Sequence, residues 1–263
     1  MFPRLPVPSM PPLWRESLVG LEAAALMRSG VWRGIGQAPG EDRPVMLVPG
    51  FMAGDGSLAL MTRWLRGLGY RTHRAGIRAH VDCSAKVAQG LEQVAERMAD
   101  KAGQKVSIIG QSRGGMAARA LAVSRPDLVA GVVTLGSPVR GMFNVHPVVL
   151  GSIFGVGALH ALGVRGTLGL GCLLGDCCKQ FRADLECEHW PEDVGYVNVF
   201  SKHDGIVNWK ACLDPCAEDQ IEVGSSHCGM AVHPDVFGIV GRQLARFGVA
   251  DDVPVWAEWA QAA

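Results

Sequence analysis

Short apolar runs alternate with helix-periodic segments along most of this chain. Residues 44–48 form a continuous apolar run that ends at Pro49-Gly50, which is typical of a buried central strand. Comparable strand patterns follow at 70–74, 106–109, 128–135, 196–201 and 220–223. Helical periodicity at 58–67, 84–102 and 235–247 separates or follows them. This alternation predicts an α/β fold with a doubly wound, mostly parallel sheet.

The chain is long enough for a single domain over residues 1–263 with two additions. Residues 1–43 form an N-terminal extension whose periodicity over 13–29 predicts a helix packed on the domain. Residues 139–190 form an inserted cap, which is either a lid with an apolar inner face or an ordinary packed cap. Its apolar, glycine-rich part at 141–175 predicts one or two short helices rather than a membrane span. In the helix at 84–102, Ser84 is the expected N-cap.

Composition narrows the partners and the compartment. Lysine plus arginine equals aspartate plus glutamate at 25 each, so net charge gives no attraction to nucleic acid. The start of the chain is broken by prolines and lacks the pattern of a secretory signal, so we expect a cytoplasmic protein. Nothing in the sequence decides its oligomeric state.

The eight cysteines leave three interpretations open, and seven of them lie after the midpoint of the chain. They could be reduced thiols, or disulfides that include Cys187, Cys212 and Cys216. Zinc is the third possibility, but neither Cys212-x-x-x-Cys216 nor the Cys187 and His189 pair has a second pair at finger-like spacing.

The segment Gly110-Gln111-Ser112-Arg113-Gly114 lies where a strand pattern changes to a helical one. This G-x-S-x-G pattern is typical of a nucleophile elbow, a turn so tight that the residues two before and two after the serine must be small. Gly110 and Gly114 meet that requirement. No phosphate-binding glycine spacing is present.

A serine hydroxyl needs a base, and the base needs a group that orients it. Asp204 and His227 each follow a late strand, and parallel strands place such loops at one edge of the sheet. We therefore predict a catalytic triad of Ser112, Asp204 and His227. The alternatives are His203 as the base, and as the carboxylate one of four aspartates that we interpret mainly as solvated loop residues: Asp176, Asp184, Asp193 and Asp214. The remaining histidines, His80 among them, are expected to be surface or satisfied core residues.

The backbone N–H groups of Arg113 and Phe51 are the expected oxyanion donors, with Met52 as the alternative to Phe51. The Arg113 side chain could bind an anionic substrate group, but a structural salt bridge or a solvated charge is the favoured interpretation.

With these residues in place, the chain resembles the α/β-hydrolase superfamily, and more narrowly the bacterial triacylglycerol lipase and esterase group. Five segments carry the resemblance: 45–51, 106–115, 133–138, 201–207 and 224–229. It implies a carboxylic ester hydrolase that acts on small-molecule or lipid-like esters without a metal or other cofactor, and it implies the same triad and oxyanion donors. Gln111, Arg113 and Pro49 depart from the usual lipase pattern, which weakens the case for a triglyceride substrate. Acyl transfer, perhydrolysis and a non-catalytic binding module remain alternatives.

Overall fold

A computed structural model describes residues 11–247 of the chain. The N-terminal prolines that entered the prediction of a cytoplasmic protein, in residues 1–8, lie outside this range. The described part is built around a parallel six-stranded sheet in the order β2-β1-β3-β4-β5-β6. The strands are β1 (Pro44–Val48), β2 (Arg71–Arg74), β3 (Val106–Gln111), β4 (Val129–Leu135), β5 (Gly195–Phe200) and β6 (Asp219–Glu222).

Helices cover both faces of the sheet, which confirms the predicted doubly wound α/β class. The α-helices are α1 (Val19–Arg28), α2 (Ala59–Gly67), α3 (Ser84–Ala102), α4 (Arg113–Ser124), α5 (Pro147–Ala161), α6 (Gly171–Leu174), α7 (Lys179–Glu186), α8 (Trp209–Cys212) and α9 (Pro234–Arg246). Helices α3, α4 and α7 pack on one face, and α1, α2 and α9 pack on the other.

The central strand β1 is apolar throughout because its successive side chains point into two different cores. In β1, Met46 and Val48 join the core under α3 and α4, whereas Val45 and Leu47 join the core under α2 and α9. Every residue of β1 is buried. An alternation of apolar and polar residues along the strand would be expected only if one face of the sheet met solvent.

The register brings the carboxyl ends of the strands to one edge of the sheet. Val48 of β1 pairs with Gly110 of β3, and Gln111 pairs with Leu135 of β4. The loops after β1, β3, β5 and β6 therefore leave the sheet on the same side.

The helix predicted over residues 13–29 is present, but in two parts. Leu13–Leu18 is a 3₁₀ helix that follows Pro12, and α1 begins at Val19. Leu26 of α1 is fully buried in the core that also contains α9. The extension thus packs on the domain next to the loop after β6.

Helix α3 begins one residue earlier than an N-cap at Ser84 would require. Cys83 occupies the N-cap position, and its side chain makes no cap hydrogen bond. The prediction of Ser84 as the cap is therefore wrong, because its hydroxyl instead accepts a hydrogen bond from the Arg113 guanidinium.

The segment between β4 and β5 is helical, and its first helix is longer than predicted. Helix α5 has fifteen residues and is followed by α6, a 3₁₀ turn at Asp176–Cys178, and α7. Val148, Phe154 and Leu159 of α5 are exposed. Because α5 is apolar on all sides, its sequence has no helical periodicity. Whether residues 139–190 act as a cap remains a prediction.

Among the helices within residues 11–247, none combines the length and apolar character needed to cross a membrane.

A fully buried ion pair joins α4 to the segments after α7 and α8. Arg119 Nε donates to Asp214 Oδ2 at 2.5 Å, and Arg140 donates to the other carboxylate oxygen at 2.7 Å. Arg119 also donates to the carbonyls of Asp184, Leu185 and Cys187. The interpretation of Asp214 as a solvated loop residue is thus wrong, because its side chain is fully buried between two arginines. Both arginines lie far from Asp214 in sequence.

Candidate functional site

Ser112 lies in the turn between β3 and α4 with strained backbone angles of φ 52° and ψ −123°. The turn needs glycine on both sides. A Cβ on Gly110 would lie 2.5 Å from Gly115 Cα, and a Cβ on Gly114 would overlap the carbonyl oxygen of Val48. Strain of this kind costs about 1–3 kcal/mol and is found mainly at functional sites. The serine hydroxyl is thereby held above the end of β3.

The loops after β5 and β6 bring Asp204 and His227 together. His227 Nδ1 lies 2.6 Å from Asp204 Oδ2, and both side chains are almost fully buried. Asp204 Oδ1 accepts the backbone N–H groups of Ile206 and Val207, which fixes the carboxylate. Nδ1 is then the donor, so Nε2 of the neutral imidazole is left as the proton acceptor.

Two opposing effects act on the His227 imidazole. Burial disfavours its charged form, but the charge and hydrogen bond of Asp204, together with the charge of Glu16, outweigh burial and raise the pKa of His227 above its ordinary value. Such a group can hold a proton that it has taken from a nearby hydroxyl.

His203, the alternative considered for the base, does not line the cavity. His203 is exposed, whereas His227 lines the same cavity as Ser112. Within the described residues, no hydrogen bond joins the Ser112 hydroxyl to the His227 imidazole. Hydrogen bonds of this kind often form only when a substrate binds.

The loop after β1 packs directly against the serine turn. A Cβ on Gly50 would lie 3.2 Å from Ser112 Cβ. Met52 N–H donates to the His80 carbonyl at 3.3 Å. Among residues 11–247, the N–H groups of Phe51 and Arg113 have no hydrogen-bond acceptor. Of the two residues considered in this loop, Phe51 therefore has the N–H that is available to a ligand.

His80 bonds to this loop, and Arg113 in turn holds the carbonyl of His80. His80 Nδ1 lies 2.7 Å from the Pro49 carbonyl, and burial with the nearby Arg113 charge lowers the pKa of His80 to about 4. The Arg113 guanidinium donates to the carbonyls of His80 and Asp82, and burial lowers its pKa to about 10. The Arg113 side chain is therefore structural, but it bonds to carbonyl groups rather than to a carboxylate.

A largely apolar cavity of about 430 Å³ opens above the serine turn. The loop after β1, the turn after β3 and His227 form one side. The segment between β4 and β5 contributes most of the apolar lining, including Met142, Phe143, Val149, Ile153, Leu168, Leu173 and Phe181.

Two glutamates of the N-terminal extension hold the loops that bear Asp204 and His227, and sequence reasoning missed both. Glu16 accepts the backbone N–H groups of Gly205, His227 and Cys228 at 3.0, 3.1 and 2.8 Å. Glu22 accepts hydrogen bonds from Ser225 and Ser226. No local pattern could have revealed these contacts, because about two hundred residues separate the partners.

Comparison with known proteins supports the assignment of the fold. The family model of palmitoyl protein thioesterases matches residues 44–174. A triacylglycerol lipase of Pseudarthrobacter phenanthrenivorans is 32% identical over 107 residues, which are 37% of this chain and 34% of the lipase. The chain thus spans about a third of the length of the curated relatives it matches.

Solved structures show the same architecture at low sequence identity. A mature lipase of Bacillus licheniformis superposes with a TM-score of 0.58 at 15% identity, covering 80% of this chain and 94% of the lipase. A metagenomic carboxyl esterase gives a TM-score of 0.59 at 16% identity, covering 80% and 76%. The sheet order and these superpositions show that the chain has the α/β fold of these lipases and esterases, and its matched segments are similar in sequence to palmitoyl protein thioesterases and triacylglycerol lipases.

Proposed function

We propose that this chain is a serine hydrolase that cleaves carboxylic esters with apolar acyl groups through an acyl-enzyme. The observation that carries the proposal is the 2.6 Å contact between His227 and Asp204 in the wall of the cavity that also contains Ser112 on its strained turn.

In the first half-reaction, His227 Nε2 takes the proton of the Ser112 hydroxyl as Oγ attacks the ester carbonyl carbon. The carbonyl oxygen becomes an oxyanion that accepts hydrogen bonds from the N–H groups of Phe51 and Arg113. The carbon–oxygen bond to the alcohol then breaks, and the alcohol leaves with the proton from His227. Asp204 keeps Nδ1 protonated throughout.

In the second half-reaction, water replaces the alcohol. His227 takes a proton from the water, the hydroxide attacks the acyl carbon, and the bond to Ser112 breaks as Oγ regains its proton. The carboxylic acid is the second product. We expect the hydrogen bond between Ser112 and His227 to form when substrate enters the cavity.

The cavity supports an apolar acyl group as the recognised part of the substrate. Its volume of about 430 Å³ lies within the range of roughly 300–1,000 Å³ for small-molecule sites. Thioesters are a second candidate class, favoured by the match of residues 44–174 to the palmitoyl protein thioesterase model. The same three side chains would cleave a thioester by the same steps, with a thiol as the leaving group.

A matched pair of serine variants tests the proposal. Wild type, Ser112→Ala and Ser124→Ala are assayed on p-nitrophenyl esters of increasing acyl length and on the corresponding thioesters. Ser124 is the control, because it lies at the far end of α4 and its hydroxyl bonds to the Leu121 carbonyl. We expect Ser112→Ala to lose at least about 10⁴-fold in kcat, as in other triad enzymes, and Ser124→Ala to be unaffected.

Labelling with a fluorophosphonate provides an independent measurement. The wild type and Ser124→Ala should be labelled, and Ser112→Ala should not. If Ser112 fails to label and the wild type hydrolyses none of the esters or thioesters, the chain is a binding module and the proposal is wrong. If labelling succeeds but product analysis shows transfer of the acyl group to an added alcohol in preference to water, the hydrolytic step is wrong.

A further inference from the structure

Four cysteine thiols meet beside the cavity, and none of them takes part in the proposed reaction. They are Cys83, which precedes α3, and Cys172, Cys177 and Cys178, which follow α5. Their Sγ atoms all lie within 4.8 Å of one another. We call this group the four-thiol cluster.

The distances suit four ligands around one ion better than covalent pairs. Cys83 Sγ lies 3.3 Å from Cys178 Sγ, and Cys177 Sγ lies 3.8 Å from Cys178 Sγ. A zinc–sulfur bond of about 2.3 Å in a tetrahedral site places sulfur atoms about 3.8 Å apart. A disulfide requires about 2.05 Å, and Cys177 and Cys178 are adjacent in sequence. A tetrahedral set of four sulfurs is the arrangement that Zn²⁺ selects.

The surroundings are suited to ligands that become thiolates. Cys83 lies at the N-cap position of the nineteen-residue α3, the end of a helix at which backbone N–H groups have no partner within the helix. The buried guanidinium of Arg113 lies within electrostatic range of Cys83, Cys172 and Cys178. N–H donors and a nearby cation both stabilise the negative charge of a zinc–thiolate group.

Ligation would join two segments that are far apart in sequence at the wall of the cavity. Cys83 lies on the loop between β2 and α3, next to Ser84, which lines the cavity. Cys172 and Leu173 line it from the opposite segment. A bound ion would therefore fix the position of the segment after α5 relative to the serine turn.

We propose that Cys83, Cys172, Cys177 and Cys178 bind one Zn²⁺ ion as a structural tetrathiolate site. Each ligating thiol gives up its proton when the metal binds, so uptake releases protons and depends on pH. All four positions of the ion are filled by protein, so the site leaves no place for a catalytic water.

Metal uptake by the full-length chain tests this proposal without reference to its activity. The protein is purified under reducing, anaerobic conditions, treated with a chelator and titrated with Co²⁺. We expect the intense visible d–d bands of tetrahedral Co²⁺ to saturate at about one ion per chain, and an equal amount of Zn²⁺ to abolish them.

The variants compare cysteines inside and outside the cluster. Cys178→Ser and Cys172→Ser should weaken metal binding by roughly 100-fold or more, since each removes a direct ligand. Cys187→Ser should bind as wild type does, because Cys187 lies outside the cluster. Thiol alkylation of the wild type is a further measurement that does not require any variant to fold. Zn²⁺ should protect Cys172 and Cys177, the accessible members of the cluster, and leave the accessible Cys187, Cys216 and Cys228 as reactive as before.

Three results would overturn the proposal. The reduced wild type takes up no Co²⁺ or Zn²⁺, or Cys187→Ser loses binding as fully as Cys178→Ser, or the four thiols are recovered as disulfides from protein made in a reducing compartment.

Discussion

The hydrogen bonds of Glu16 lead to a testable prediction about the loops that carry Asp204 and His227. Its carboxylate accepts three backbone N–H groups from those two loops, although Glu16 lies in the N-terminal extension. Two variants separate its contributions. Glu16→Gln keeps the shape and removes the charge, whereas Glu16→Ala removes every contact.

The expected loss of stability follows from the number of donors. A hydrogen bond to a charged group contributes about 1.5–3 kcal/mol when it is buried, and partly exposed groups contribute less. Glu16 is half-buried, and the three N–H groups can recover some bonds to water. We therefore expect Glu16→Ala to lower the free energy of unfolding by about 2–3 kcal/mol in total. For a chain of this size that corresponds to a fall in Tm of roughly 4–12 °C.

The pH dependence gives a second readout, with a definite sign. The Glu16 carboxylate contributes to the raised pKa of His227, and the proposed base is active only when neutral. Activity should then increase as the pH rises through this pKa. Removing the negative charge lowers the pKa, so the acid limb of kcat/KM should move to lower pH in Glu16→Gln. The raised pKa stabilises the fold below the ordinary pKa of histidine, and that contribution is lost as the pH rises through the folded value.

Urea unfolding and a pH profile of ester hydrolysis measure the two effects. Glu41→Gln is the control, because Glu41 is an exposed residue in the loop before β1. If Glu16→Gln and Glu16→Ala both unfold at the wild-type midpoint, and Glu16→Gln retains the wild-type acid limb, the reasoning about Glu16 is refuted.

Three further changes test the packing that holds the site. Arg119→Met leaves the buried Asp214 with fewer partners and should lower the free energy of unfolding in urea by about 3–5 kcal/mol; an unchanged midpoint would contradict this estimate. Arg119 also contributes to the lowered pKa of Asp214, against the opposing effect of burial, so the stability difference between wild type and Arg119→Met should shrink as the pH falls through the acid range. Gly114→Ala places a Cβ against the Val48 carbonyl and should yield little folded protein by circular dichroism. In Gly90→Ala, by contrast, the new Cβ in α3 meets nothing within 4 Å, and we expect the chain to be stabilised by about 0.4–1 kcal/mol. Normal folding of Gly114→Ala would mean that the turn after β3 is not as tight as described.

The fold class was predictable because strand and helix patterns are local. The continuous apolar run at 44–48 follows directly from its two buried faces, and the change from strand to helix at Ser112 is visible in the sequence. Helix α5 was harder to predict, because a helix that is apolar on every side carries no period. Local patterns therefore reveal a short apolar strand or an amphipathic helix, but not a helix that has no polar side.

Contacts between distant segments could not be predicted, for a different physical reason. Glu16 meets His227 across 211 residues, and Cys83 meets Cys178 across 95. Searching for metal ligands by short spacing directed attention to Cys212 and Cys216, whereas the four-thiol cluster takes one thiol from before α3 and three from after α5. A single sequence contains no signal for such pairs, because the sheet alone determines which loops meet.

The same loops explain why the serine turn can remain strained. A backbone at φ 52° and ψ −123° persists only if the surrounding groups prevent relaxation. On one side, Arg113 holds the loop after β2 through the carbonyls of His80 and Asp82, and His80 in turn bonds to the Pro49 carbonyl of the loop after β1. On the other side, Glu16 and Glu22 hold the loop that carries His227 through backbone N–H groups and serine hydroxyls. Both sets bond chiefly to the main chain, so loss of Glu16 or Arg113 would release the loops themselves.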